Sequence, residues 1–159
     1  MSERLDYAKL SPELTKAYYA FSMATKASGL GQTLIDLINL RASQINGCAF
    51  CVDMHSKEAK IHGERELRLY HVAVWRESPL FDARERAALE WTEALTQLSP
   101  HGVPDAVYDA VRAQFDDKDM AALSFAVMAI NGWNRLSVGF RAVPGSRDAV
   151  YGLTKAGLS

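Results

Sequence analysis

The sequence has little of what marks several large classes of protein. Two cysteines among 159 residues are too few for the disulfide framework of a small secreted domain. The longest stretch without a charged residue, residues 120–134, is too short to cross a bilayer, and Asn131 and Gly132 interrupt it. No apolar run follows the opening MSERLDYAKL, so a secretory signal is not expected.

The chain also lacks an excess of positive or negative charge. The net charge is −1, the isoelectric point is near 6.4, and no cluster of Lys and Arg stands out. We therefore expect neither a nucleic-acid nor a membrane partner. Hydrophobic residues make up 48% of the chain, which is enough to form one core without disulfide cross-links. These totals predict a single domain over residues 1–159, soluble and cytoplasmic, in a reducing compartment.

Apolar residues recur at helical spacing from end to end, and no run of alternating β-branched residues appears. The pattern predicts an all-α fold of about seven helices. Ser11 and Pro12 suit the start of the first helix, Asn46-Gly47 separates the second from the third, and Asp82 begins the fifth.

Two further stretches of the sequence each have two possible structural interpretations. The uncharged segment AALSFAVMAI, residues 121–130, is interpreted as a central core helix, the alternative being a helix buried between subunits. The letters ING recur at 45–47 and 130–132, which indicates either two related halves or a chance match.

The stretch NGCAFCVDMHSKEAKIHG, residues 46–63, holds both cysteines. With Cys48 in the first turn of the third helix, Cys48 and Cys51 lie some 60° apart around the axis and about 4.5 Å along it, which suits a disulfide. A helix N-terminus also favours thiolate over thiol. This favours a redox pair over two metal ligands or two inert core residues. A metal site needs four ligands, and only His55 is a third one nearby.

His55 follows Cys51 by four residues, on the same helical face, where it could accept the thiol proton. If the second and third helices fold back at Asn46-Gly47, Asp36 faces position 58 and could hold His55 directly or through a water. The alternatives are a structural histidine and a solvated carboxylate. His62 is expected to lie in the last turn of the helix, where it interacts favourably with the helix dipole.

The run LRASQINGCAFCVDMHSKEAKIHGE resembles the core signature of the AhpD-like branch of the carboxymuconolactone decarboxylase superfamily. The later pieces WRESPLFDARERAALEWTEALT and AINGWNRL resemble it too, so the likeness covers roughly residues 10–145. It implies an all-helical domain that assembles as a homo-oligomer, often a trimer or hexamer. It also implies peroxidase or disulfide-reductase activity without a bound metal, flavin or other cofactor.

The resemblance further implies roles for four residues. Cys51 would attack the peroxide, Cys48 would resolve the product, and His55 would be the base. The acid twelve residues before Cys48, which would join His55 in a water-linked proton relay, is Asp36 here, where the family pattern has glutamate. Phe50 also stands where well-studied members have histidine.

Three hypotheses of function follow. The first is a thiol-dependent peroxidase of organic hydroperoxides or hydrogen peroxide, re-reduced by an unidentified dithiol. The second is a redox-responsive oligomeric binding protein whose cysteine pair switches an assembly without turnover. The third is a non-redox enzyme of the decarboxylase type, whose activity would survive replacement of both cysteines by serine.

Overall fold

The computed structural model describes residues 2–158, and within this range it contains no β-strand. The all-α prediction is confirmed. In chain order the helices are α1 (Tyr7–Leu10), α2 (Pro12–Lys26), α3 (Gln32–Ile45), α4 (Ala49–Ile61), α5 (Glu66–His71), α6 (Ala83–Thr96), α7 (Asp105–Arg112), α8 (Asp117–Phe140) and α9 (Asp148–Tyr151). Short 3₁₀ segments cover Val72–Val74 and Leu153–Ala156.

The predicted helix starts are confirmed where the sequence carries a start signal. Pro12 opens α2, and at α6 the side chains of Asp82 and Glu85 each accept the other residue's backbone N–H in a capping box. The short helices α1 and α9 and the 3₁₀ segment at Leu153–Ala156 were not predicted. They are too short to show an apolar stripe, and tertiary contacts stabilise them.

The centre of the molecule is α3, which packs against α4, α6 and α8. One face of α3 enters a core cluster with α6 and α8, and another enters a second cluster with α4, α5 and α6. Leu37 and Ile38 are among its fully buried side chains. A helix buried on most sides fixes the position of every helix around it, including α4.

The segment at residues 121–130 lies in α8, and its interpretation as a core helix is confirmed for one face. Leu123, Val127 and Ile130 are buried in the first core cluster. Phe125 and Met128 lie on the other side of the helix and are 51% and 56% exposed. In the part of the chain described, no helix is both long and apolar enough to cross a membrane.

Candidate active site

The two cysteines form a disulfide at the start of α4, with their Cα atoms 5.3 Å apart. Cys48 is the N-cap residue of α4, so the prediction that it lies in the first turn was wrong by one position. Gly47, at φ 63°, carries the chain into this cap through a backbone conformation that favours glycine. Both cysteines are buried, at 2% and 1% exposure. The chain therefore holds a redox-capable pair inside the protein.

Buried side chains on α8 hold the turn before Cys48. The amide nitrogen of Asn46 donates to the amide oxygens of Asn131 (3.0 Å) and Asn134 (2.8 Å). Asn134 in turn donates to the hydroxyl of Ser43 (3.0 Å), and the carbonyl of Ser43 accepts the N–H of Cys48 (3.0 Å). The recurring ING strings thus place two asparagines in direct contact. Because these groups are paired, the network fixes the start of α4 against α8.

His55 lies one helical turn after Cys51, on the same face of α4, and is 6% exposed. Its Nδ1 is 2.7 Å from Oε2 of Glu58. Its Nε2 is buried without a hydrogen-bond partner, one of two such side-chain atoms among residues 2–158, the other being Ser28 Oγ. The ring therefore has one nitrogen held and one nitrogen free.

The charge on Glu58 decides which nitrogen carries the proton. Burial would raise the pKa of Glu58, but the hydrogen bond and positive charge of His55, joined by Lys26 at 3.5 Å, bring it to about 2. At neutral pH Glu58 is a carboxylate, which can only accept hydrogen bonds. Nδ1 of His55 is then the donor, and Nε2 of the neutral ring is left as a base.

Asp36 was predicted to hold His55 directly or through a water, and the direct contact is not formed. Its Oδ2 is 2.8 Å from Nδ1 of His62, and its Oδ1 accepts from Nε2 of Gln32 at 2.9 Å. Asp36 was also predicted to face position 58, and its contact lies one turn further along, at His62. Burial raises the pKa of Asp36, and the charge of Glu58 adds to the effect, against the two hydrogen bonds.

The difference follows from the register of α3 against α4, which places Asp36 beside His62. His62 lies one turn beyond Glu58 on α4, and His55 has a nearer carboxylate on its own helix. His62 is the C-cap residue of α4, which agrees with its predicted place at the helix end, but its bond to Asp36 was not predicted.

Sequence reasoning missed Glu58, Lys26 and Gln32 as members of the site. Glu58 could have been found, because a carboxylate three residues after a histidine on a helix lies within reach of it. Lys26 and Gln32 come from α2 and α3, and no local spacing indicates their contacts. Among the described residues, no group of three or more His, Cys, Asp or Glu side chains is arranged to hold a metal ion.

Several known proteins are similar to this chain in sequence and in fold. The sequence pattern of the carboxymuconolactone decarboxylase family matches residues 12–94, which is more than half of the chain. An uncharacterized protein of Bacillus subtilis (strain 168), YdfG, is 39% identical over 138 residues, covering 87% of this chain and 94% of YdfG. The chain belongs to the carboxymuconolactone decarboxylase family.

Solved structures place it within that superfamily. ATU0492 from Agrobacterium tumefaciens, a protein of unknown function and a candidate antioxidant defence protein AhpD, is 46% identical. It superposes with a TM-score of 0.87, covering 90% of this chain and 98% of that one. The debrominase Bmp8, at 17% identity and a TM-score of 0.79 over 93% and 79% of the two chains, shares the fold alone. This protein is an AhpD-like member of the superfamily. Membership of this family supports the prediction that the protein is an enzyme.

Proposed function

We propose that this AhpD-like protein is a thiol-dependent peroxidase that reduces organic hydroperoxides or hydrogen peroxide. The observation that carries the proposal is the buried Cys48–Cys51 disulfide with the partnerless Nε2 of His55 one helical turn away. A nucleophile, its base and a resolving thiol on one helix are the parts that thiol peroxidase chemistry needs. The name of the ATU0492 relative supports the same class of reaction.

These residues and the peroxide account for the oxidative half of the reaction. In the reduced protein the thiol of Cys51 gives its proton to Nε2 of His55. The thiolate attacks one peroxide oxygen, so an S–O bond forms, the O–O bond breaks, and sulfur loses two electrons. The alkoxide leaves as an alcohol by taking the proton back from His55. Cys48 then attacks the sulfenic acid of Cys51, forming the disulfide and releasing water.

The two electrons have to be returned by a dithiol donor, which we propose as the second substrate, in a cytoplasmic setting that keeps thiols reduced. The donor's thiolate must attack one sulfur of the pair through a mixed disulfide. Both cysteines are almost fully buried, so this attack requires the turn before α4 to open. Asp36 remains part of the proposed site, through its bond to His62 and not to His55.

A homo-oligomer, a trimer or hexamer, is part of the same proposal. The N-terminal residues, α2 and α8 form a groove of about 750 Å³, lined mainly by apolar side chains: Leu5, Tyr7, Leu10, Ser11, Leu14, Thr15, Ala17, Tyr18, Phe21, Leu136 and Phe140. Leu10 and Leu14 on its edge are 69% and 74% exposed. Apolar surface of this kind marks contact sites between proteins.

Peroxide consumption under turnover conditions tests the proposal. Wild type with cumene hydroperoxide and excess dithiothreitol should consume the peroxide, and Cys51→Ser should not. Without dithiothreitol, reduced Cys48→Ser treated with one equivalent of the peroxide should hold a sulfenic acid on Cys51, which dimedone traps. An assembly that changes with redox state without peroxide loss would favour the binding protein instead. Activity that survives both serine replacements would favour a decarboxylase-type enzyme.

A further inference from the structure

We infer that Glu58, and not Asp36, is the positioning carboxylate that fixes His55 for proton transfer with Cys51. The inference rests on the proposed function, because it assigns a role inside the same thiol site. It differs from the expectation that the resemblance raised for Asp36, and it depends on the contacts that each carboxylate makes.

The hydrogen bonds of the two carboxylates separate their roles. Oε2 of Glu58 is 2.7 Å from Nδ1 of His55. Both oxygens of Asp36 are occupied elsewhere, one by Gln32 and one by His62. Asp36 is 4% exposed and held by these two bonds, and it makes no hydrogen bond to His55. Of the two carboxylates, only Glu58 contacts the ring directly.

The contact sets the tautomer of His55. A carboxylate accepts a hydrogen bond and cannot donate one, so the ring carries its proton on Nδ1. Nε2 then presents a lone pair inside the protein, where it has no partner. Leaving a buried nitrogen unpaired costs stability, and such groups call for an explanation, which a catalytic role provides. The opposite tautomer would leave Nε2 unable to accept the proton of Cys51.

Glu58 also stabilises the charge that forms during the reaction. When Nε2 takes the thiol proton, the imidazolium keeps its Nδ1–H on the carboxylate. When Nε2 returns that proton to the leaving alkoxide, the ring becomes neutral again. Glu58 stays ionised throughout, and its pKa of about 2 agrees with a group that accepts a hydrogen bond and does not carry the proton.

Charged and titratable groups face this pair from three helices. Lys26 reaches Glu58 from the end of α2 at 3.5 Å, Asp36 acts on Glu58 from α3, and His62, the C-cap residue of α4, is hydrogen-bonded to Asp36. The positive charge of Lys26 helps Glu58 remain negative beside Asp36. Asp36 acts on Glu58 through charge and makes no hydrogen bond to His55.

The test measures thiolate formation, which needs no peroxide. In reduced Cys48→Ser protein, Cys51 is the one thiol, and its thiolate is followed by absorbance at 240 nm and by the rate of iodoacetamide alkylation against pH. Adding Glu58→Gln should raise the midpoint of thiolate formation by about one pH unit or more. Adding Glu58→Asp should restore part of the shift, Asp36→Asn should shift it less than Glu58→Gln does, and Glu77→Gln should leave it unchanged.

A second measurement uses only the wild-type protein, so its result does not depend on whether a variant folds. Nitrogen-15 NMR of the wild-type protein should show neutral His55 protonated on Nδ1. Nε2 protonation, a Glu58→Gln midpoint equal to that of its parent, or a larger shift from Asp36→Asn would each overturn the inference. If wild type fails to react with peroxide while these results hold, the peroxidase proposal fails and the role of Glu58 in forming the thiolate stands.

Discussion

At the scale of single residues, His55 and Asp36 are both buried but differ in how their polar atoms are paired. Asp36 has a partner for each oxygen, and His55 has one nitrogen paired and one free. A paired buried carboxylate is explained by structure alone, and a buried unpaired nitrogen is not. The difference points to His55 as the reactive group and to Glu58 as the residue that holds it.

The lowered pKa of Glu58 predicts how acid affects the oxidised protein. A carboxylate whose pKa is about 2 in the folded protein and 4.5 ordinarily stabilises the fold above pH 4.5, and loses that contribution as the pH falls toward 2. The full difference corresponds to about 3 kcal/mol at most. Glu58→Gln should therefore reduce the loss of unfolding free energy between pH 5.5 and pH 3 by about 2 kcal/mol, measured by urea denaturation.

The control for this prediction is Glu77→Gln, because Glu77 is exposed. Its unfolding free energy should follow that of wild type at both pH values. Equal pH dependence in wild type and Glu58→Gln would show that the ion pair with His55 does not hold the proton off Glu58.

At the scale of helices, the site depends on how α2, α3 and α4 meet α8. Tyr18 of α2 donates its hydroxyl to the carbonyls of Met128 and Ala129 and packs on the backbone of α8 at Gly132. A Cβ added at Gly132 would lie 2.0 Å from Oη of Tyr18. The glycine of the second ING string is therefore required by the contact between the two helices.

We predict that Gly132→Ala destabilises the protein by about 1–3 kcal/mol, because the tyrosine has to move and lose its hydrogen bonds. Gly139→Ala is the matched control on the same helix, since nothing lies within 4 Å of the added Cβ. That variant should be as stable as wild type, or more stable by up to about 1 kcal/mol, from helix propensity. Thermal unfolding followed by circular dichroism compares them. Equal melting temperatures would contradict the role of Gly132.

The sequence could predict much of the helix arrangement but only part of the candidate site. Cys51 and His55 share a helix, so their relation follows from the spacing of four residues alone. Asp36 was predicted to face position 58, but its partner is His62, one turn further along, and that choice depends on how α3 packs against α4. The contacts of Lys26 and Gln32 depend on how three helices pack, and no local pattern records that packing.

At the scale of the whole molecule, we propose that a second copy of the chain covers the apolar groove between the N-terminal residues, α2 and α8. We predict that Leu14→Glu dissociates this proposed homo-oligomer, because a carboxylate buried without a partner opposes association. Leu98→Glu is the control, since Leu98 is 67% exposed and does not line the groove. Light scattering after gel filtration gives the masses. A monomeric wild type, or equal masses for both variants, would rule out this interface.

The most direct test of the account is the free-thiol count of the reduced protein before and after one equivalent of cumene hydroperoxide. Wild type should lose two thiols rapidly, as Cys48 and Cys51 return to the disulfide seen in the structure. Cys51→Ser should lose almost none, because its remaining thiol lacks the neighbouring base. Two thiols still free in wild type after several minutes would contradict the central claim that peroxide oxidises this pair.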